Sequence, residues 1–510
     1  MNKLPAQRQE LIVRWKNTAQ PSTAVGATTT RRWLAPELGI ELLTYPSPAS
    51  CVRAQKMLEK ERRVRAVERN RSVQFRNPPN DDNYANEQGN LVRAGFEKAW
   101  ALTTGGQTGD GTEIVVAILD AGFTPQHPDL APNLWNNPGE IPGDGIDNDN
   151  NGYADDLHGW DMIGADADLP ANTHGTQVTG ILGARGNNGL GVAGTNWNVK
   201  LMLLAINTTA DIIEAYEYIR QHRKRWNESG GSEGSLVVAT NASFGIEGET
   251  CAGFTVWGDL YDELGREGIL TAASTANRSW DVDVNGDMPT DCPSEYLLGV
   301  TNVGPDDVLH RSSAYGRENV DLAAPGEGSY TTRVGGTYGP FGSTSAAAPY
   351  VTGAIALLYA TPCDNFFGRI RQDPAGAALL VRDALLSSVQ PQPTLQFKTA
   401  SGGTLDVAEA QRILVVSCGG GENNEFAITD VRPNPARGEA RVTTNALVFS
   451  DRGRILLYDA YGRLTRVQSA VRIAGNPVTL RANLTNLPVG WYQLVVEERD
   501  RVARTSIIIL

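Results

Sequence analysis

Short runs of consecutive apolar residues recur through the middle of the chain, each bounded by turn-forming residues. "EIVVAIL" at 113–119, "KLMLLAI" at 200–206, "LVVAT" at 236–240, "GILTAA" at 268–273 and "YLLGVTNV" at 296–303 lack the alternation of a strand with one wet face. They predict strands buried on both sides. Between them lie stretches with apolar residues three and four apart, such as "TADIIEAYEYIRQHRKRW" at 209–226, which predict amphipathic helices. Alternating strand and helix give an α/β region, a parallel sheet with helices on both faces, over about 95–390. Chemistry in such sheets gathers at the carboxyl ends of the strands.

The flanks have a different texture. Toward the N-terminus, "ELIVRW" and "IELLTY" predict strands, and "CVRAQKMLEKERRVRAVER" predicts a basic helix. From Arg53 to Arg76 there are nine Lys/Arg and three Glu. "NPPNDDNYANEQG" predicts a turn-rich linker, because Pro, Asn and Asp favour turns and the residue before Pro disfavours helix. Beyond "CGGGENNE", the alternating runs "ILLYD", "WYQLVVEE" and "RTSIIIL" predict a small antiparallel sandwich. The expected organisation is a small α+β domain at 1–76, a linker at 77–94, the α/β domain at 95–417, a linker at 418–425 and an all-β sandwich at 426–510.

Several domains are expected of 510 residues. A net charge of -13 argues against nucleic acid as a partner. No apolar run is long enough to span a bilayer, and "MNKLPAQRQELIVRWK" lacks the apolar core of a signal peptide. None of the five cysteines forms a C-x-x-C pair. Pairing Cys251 with Cys292 and Cys363 with Cys418, leaving Cys51 odd, is the economical expectation among the arrangements that five cysteines allow.

The stretch "FGSTSAAAPYVTG" at 341–353 surrounds Ser345 with small residues and leads into an apolar helical run. Small residues let a buried helix approach its neighbours closely, and Pro349 is expected among first-turn positions whose N–H groups have no partner. A hydroxyl at the positive end of a helix dipole is a candidate nucleophile. Its base and orienting acid are sought elsewhere. Asp120 ends the first strand in "VVAILDAGF", and His174 opens the helix "HGTQVTGILGA". Alone, each fits a cap or a structural role; together they supply nucleophile, base and the residue that orients the base.

"ILDAGF", "HGTQVTG" and "GSTSAAAP" in this order resemble the Asp, His and Ser motifs of the subtilisin-like serine peptidases. The resemblance covers about 95–390 and implies acyl transfer by Asp120, His174 and Ser345. "TNASFG" is similar to the family's substrate-pairing segment, which implies that Ser243, Phe244 and Gly245 line the cleft. Two departures stand out. The family commonly has Gly-Thr-Ser-Met-Ala where this chain has Ser343-Thr344-Ser345-Ala346-Ala347, and "TAASTAN" replaces the usual Ala-Gly-Asn of the oxyanion hole. Asn277 is the expected oxyanion donor, with Ser274 and Thr275 as competitors. The esterase pattern G-x-S-x-G is absent around Ser345.

From Glu140 to Asp168 there are nine carboxylates and no Lys or Arg. Asp147, Asp149 and Asn151 alternate before Gly152, as in a calcium loop, and Asp155 holds the ninth position; His158 stands where a bidentate Glu would complete an EF-hand. Structural calcium is therefore expected, with no catalytic cofactor. The weaker match "DVDVNGD" at 281–287 is expected to be structural. Residues 1–76 resemble the family's inhibitory propeptide, implying a zymogen restrained by its own N-terminal domain. "VRPNPARG", "LYDAYGRL" and "LTNLPVGWYQLVV" resemble the C-terminal sorting domain of the bacterial type IX secretion system. That implies secretion or cell-surface display, a leader not visible in this chain, and contact with the secretion machinery. The expected activity is serine endopeptidase on protein or peptide substrates. A catalytically inactive subtilase acting as a surface binding protein is the alternative, because the oxyanion segment is altered.

Overall fold

The computed structural model describes residues 10–16, 30–70, 78–418, 428–444, 453–459, 463–474, 478–498 and 501–510. The chain divides into a unit ending at Asn77 and a second beginning at Pro78.

The first unit is an antiparallel sheet in the order Thr30–Ala35, Ile40–Thr44, Glu10–Trp15, Val64–Arg69, covered by the helix Pro48–Leu58. Ser47 caps that helix by accepting from Ser50 N–H. Cys51, Ala54 and Leu58 recur at helical spacing and meet Leu11, Val13 and Leu43 of the sheet. The expected basic helix therefore occupies only part of its stretch. Beyond Leu58 the chain turns, and Val64–Arg69 pairs with Glu10–Trp15 as an edge strand.

The second unit contains the long apolar runs as strands β1 (Val115–Asp120), β2 (Gly159–Asp161), β3 (Lys200–Ala205), β4 (Val237–Ala242), β5 (Leu270–Ser274), β6 (Leu297–Asn302), β7 (Leu322–Ala324), β8 (Gln390–Pro391) and β9 (Gly403–Thr404). They lie in the order β8-β9-β7-β6-β5-β4-β1-β3-β2, parallel except for β8 against β9. Three helices matter most for the site: α1 (Thr173–Gly183), α2 (Thr209–Ser229) and α3 (Thr344–Tyr359). The pleat sends Val116 and Ile118 of β1 into one core with α1 and α3, and Val115, Ala117 and Leu119 into another with α2. This two-sided burial is why the strands read as continuous apolar runs.

Helix α3 is buried along its whole length, running against β4, β5 and β6 on one side and α1 on another. Its residues Ala346, Ala347 and Ala348 are fully buried, so the small side chains set how near the helix axis lies to the sheet. Pro349 corrects the sequence reading. It sits in the second turn, beyond the N–H groups that lack partners, where a proline removes a bond to the carbonyl four residues back. That carbonyl belongs to Ser345, and the Ser243 hydroxyl takes the missing N–H's place, donating to it at 3.0 Å.

The expected linker at 77–94 is largely structured. Tyr84–Glu87, Gly89–Arg93 and Phe96–Ala99 are short helices, and Leu91 and Phe96 enter the main core. Asn90 is buried and donates to the carbonyls of Pro325 and Glu327, while Gln88 pairs both ways with Ala193. Turn-rich composition concealed this segment because its order comes from distant partners.

Toward the C-terminus, eight strands are linked through Ile428–Arg437, which is antiparallel to Glu439–Thr444 and meets Arg501–Ile509 in parallel at Ala436. Val442, Leu480, Leu457, Leu494 and Ile507 share one apolar cluster, giving the all-β body expected from the alternating runs.

Cys251 is bridged to Cys292, 41 residues apart, and Cys51 is a free, buried thiol. Cys363 is also disulfide-bonded. Its expected partner Cys418 has a side chain outside the described residues. Closing a loop of this length restricts the unfolded chain, so replacing Cys251 and Cys292 together by serine is expected to cost roughly 3–4 kcal/mol, read from denaturant unfolding.

Candidate active site

Three strand ends converge. Asp120 closes β1, residues 243–245 follow β4, and the loop to Asn277 follows β5. These strands are neighbours in the sheet, so their carboxyl ends open on one cleft.

Helix α1 brings His174 to Asp120. Asn172 caps the helix, its side chain accepting from His174 N–H at 2.8 Å. The Asp120 carboxylate, almost fully buried, lies 3.0 and 2.8 Å from His174 Nδ1 through its two oxygens. This fixes a proton on Nδ1 and leaves Nε2 facing the cleft. Burial pulls the imidazole pKa down, but the hydrogen bond and charge of Asp120 outweigh it and hold the ring above its ordinary value. The approach of helix to strand depends on Gly175: a Cβ there would lie 2.1 Å from the Gly122 carbonyl oxygen and 2.9 Å from Asp120 Cβ.

Ser345 lies at the start of α3 and is buried. It is presented by the hairpin of Ser329–Arg333 and Thr337–Phe341, in which Phe341 meets the His174 ring edge-on at 5.6 Å between centroids. The Ser345 hydroxyl makes no hydrogen bond to the imidazole. Ser343, where the resembling family commonly has glycine, has φ 66°, and Glu327 accepts its N–H at 2.8 Å.

Asn277 is exposed, yet its amide is held. Thr344 N–H donates to its Oδ1 at 3.2 Å, and the Thr344 hydroxyl lies 2.7 Å from the same oxygen and 2.6 Å from the Thr275 carbonyl. With Oδ1 engaged, the Nδ2 donor is the free end of the amide. The competing hydroxyls stand differently. Ser274 and Thr275 are buried, and the Thr275 hydroxyl donates to the Ala314 carbonyl. Thr344, absent from the candidate residues singled out by sequence, thus connects the Asn277 loop to the start of α3.

Ser243 and Phe244 line a cleft of about 340 Å³ together with Asp120, His174, Ile206, Ile212, Ile246 and Trp257. Ser243 is buried, receiving from Asn241 Nδ2 while donating to the Ser345 carbonyl, and Asn241 Oδ1 in turn accepts from the Thr352 hydroxyl of α3. Phe244 stacks on Trp257. Gly245 has no room for a side chain, since a Cβ would meet the Met288 carbonyl oxygen at 2.6 Å.

The acidic segment folds into a tight set of turns. Carboxylate oxygens of Glu140, Asp147 and Asp149 lie within 4.8 Å of one another. Asp155, expected among the ligands, accepts the N–H groups of Gly143, Asp144 and Gly145 and is not one of these three, whereas Glu140, which is, likewise accepts the N–H groups of Asn148, Asp149 and Asp155. Asn151 spends its amide on Asp149, Asp156 and Tyr153 N–H. A cation absent from the segment's own sequence arrives from α2: Arg225 reaches Asp149 Oδ1 at 3.2 Å. A separate pair of buried carboxylates, Asp81 and Asp129, carries the turn at 187–192 through backbone N–H bonds, and burial pushes both pKa values up. Asp81 escaped notice because it lay in the expected linker.

Residues 111–429 match the sequence profile of the Subtilase family. The chain is similar to "Subtilisin-like protease 1" of Plasmodium berghei, 26% identical over 66% of this chain and 55% of the relative. It is also similar to "Thermophilic serine proteinase" of a Bacillus species, 28% identical over 61% of this chain and 68% of the relative. The chain spans about half the length of the Plasmodium relatives it matches. A solved structure of a protease from Pseudoalteromonas arctica is 24% identical, covering 66% of this chain and all of that one at a TM-score of 0.47.

Gly175→Ala is expected to push α1 away from β1, lowering stability by about 1–3 kcal/mol. Gly109→Ala, where a Cβ meets nothing within 4 Å, should leave stability nearly unchanged. Thermal unfolding of the two variants checks this.

Proposed function

The chain belongs to the subtilase family, and from that premise we propose that it is a serine endopeptidase acting on protein or peptide substrates through Asp120, His174 and Ser345. The observation that carries this reading is the pairing of Asp120 with His174 Nδ1, together with a buried Ser345 whose helix start also holds the Asn277 amide. An extended peptide would lie along residues 243–245, with apolar side chains favoured in the part of the cleft lined by Ile206, Ile212, Phe244 and Trp257.

His174 Nε2 would take the Ser345 proton as Oγ attacks the scissile carbonyl, then return it to the leaving amine. Asp120 holds the imidazole tautomer and stabilises the imidazolium. The oxyanion would be met by Asn277 Nδ2 and the Ser345 backbone N–H at the start of α3. The missing Ser345–His174 hydrogen bond suits a site whose catalytic hydrogen bonds form when substrate binds.

Calcium would be held by Glu140, Asp147 and Asp149, with Arg225 supplying only part of the counter-charge. The donor set fits a hard cation: the group is all carboxylate, and the buried Asp149 Oδ1 makes no hydrogen bond, meeting only the Arg225 guanidinium at 3.2 Å, with which a bound cation would share it. The N-terminal unit would act as the inhibitory prosegment and the C-terminal strands as a sorting domain, making the protein a secreted or surface-displayed zymogen. No helix among the described residues is long and apolar enough to cross a membrane.

Ser345→Ala is expected to abolish both peptide turnover and labelling by a fluorophosphonate; in subtilisin, loss of the nucleophile costs about 10⁶ in turnover. An unlabelled wild type would favour an inactive scaffold. The acid limb of kcat/KM should lie above the ordinary imidazole range, since the raised His174 must lose its proton before it can act as a base. Free calcium about a hundredfold above its Kd should add roughly 2.7 kcal/mol of stability, and Asp147→Ala with Asp149→Ala should remove that gain in thermal unfolding against chelator.

A further inference from the structure

The run "DVDVNGD" at 281–287 alternates carboxylates like a cation loop, but each aspartate is engaged by the protein itself. Asp281 accepts from Asp283 N–H, and Asp283 accepts from the N–H groups of Glu318 and Asn319. Asp287 reaches further. Its Oδ2 accepts from Ala276 N–H at 2.8 Å and from the Thr290 hydroxyl at 2.7 Å, and the residue is 1% exposed.

We propose that Asp287 is a positioning residue for the oxyanion donor, fixing the backbone beside Asn277 and joining it to the strand that lines the substrate cleft. This rests on the proposed role of Asn277. Asn277 is solvent-exposed and would wander on a free loop; Thr344 restrains its side chain, and Asp287 restrains the backbone through Ala276. Asp287 itself lies in the short strand Asp287–Met288, which pairs with Ile246–Glu247 immediately after residues 243–245. One carboxylate therefore spans the donor loop and the substrate segment, and the Cys251–Cys292 bridge together with Asp291, which accepts from Cys251 N–H, closes the frame behind it.

The choice of residue supports a geometric role. Burial pushes the Asp287 pKa up to about 6, and the nearby charges of Glu247 and Asp291 act in the same direction. No ion pair to Lys or Arg involves Asp287 among the described residues. A buried carboxylate without a cation is a costly way to fill space, and apolar replacements of buried charges commonly fold as well or better. What the carboxylate supplies is a strong acceptor of fixed direction for an N–H that would otherwise be orphaned one residue from the donor.

The experiment is a double-mutant cycle on the full chain, with one peptide substrate, using Asp287→Asn, Asn277→Ala and the pair. Asp287→Asn should lower kcat by about 10- to 100-fold with KM nearly unchanged, as a small misplacement of a transition-state donor does. In the Asn277→Ala background the same change should cost little, because the group it positions is gone. Equal losses in both backgrounds, an effect confined to KM, or an unchanged kcat would overturn the proposal. Should Asp287→Asn fail to fold, Thr290→Val carries the same cycle, removing only the hydroxyl that orients the carboxylate. A wild type that neither labels with fluorophosphonate nor cleaves peptide would overturn the underlying reading and this proposal together. An active wild type whose turnover survives Asn277→Ala would also end the proposal, while leaving the serine-peptidase reading intact.

Discussion

The close approach of α3 to the sheet is the constraint on which the site depends. Three consecutive alanines and the threonine and serine before them leave no bulk between the helix start and the ends of β4 and β5. Only at that separation can Thr344 reach Asn277 and Thr275, and Ser243 reach the Ser345 carbonyl. A larger side chain at Ala346 or Ala347 would move Ser345 away from both Asn277 and residues 243–245 at once.

The same economy appears on the opposite side, where Gly175 lets α1 lie against β1 and Asp120 meet His174. The residues that do the chemistry are therefore outnumbered by residues that allow approach. The two classes are read differently: a reacting group is recognised by its type, and an approach residue by what a larger side chain would strike.

This explains what the sequence made legible. The five buried strands were visible because two-sided burial leaves no polar positions to interrupt an apolar run. Asp120, His174 and Ser345 stood out because their types and flanking small residues belong together. Asn172 was also within reach, since Asn two positions before a helical His is an ordinary cap signal. Thr344, Glu140, Arg225 and Asp287 were not, because each acts through partners far along the chain. The 77–94 stretch misled for the same reason: Gln88 and Asn90 look like turn residues until their partners at Ala193, Pro325 and Glu327 are known. Pro349 was placed a turn too early because the compensating hydroxyl of Ser243 lies 102 residues upstream in the chain.

That last bond bears on the order in which the molecule is assembled. Local sequence can wind most of α3, but the Ser345 carbonyl loses its usual partner four residues on to Pro349 and must wait for the Ser243 hydroxyl just beyond β4. Ser243 is itself oriented by Asn241, which is oriented by Thr352 of α3, so the circuit closes only when strand and helix have docked. Contacts of such long sequence separation form late and slowly in parallel sheets. A nascent or partly collapsed chain accordingly has Ser345 but not its surroundings, and the peptidase site proposed above exists only after the chain's own core has closed.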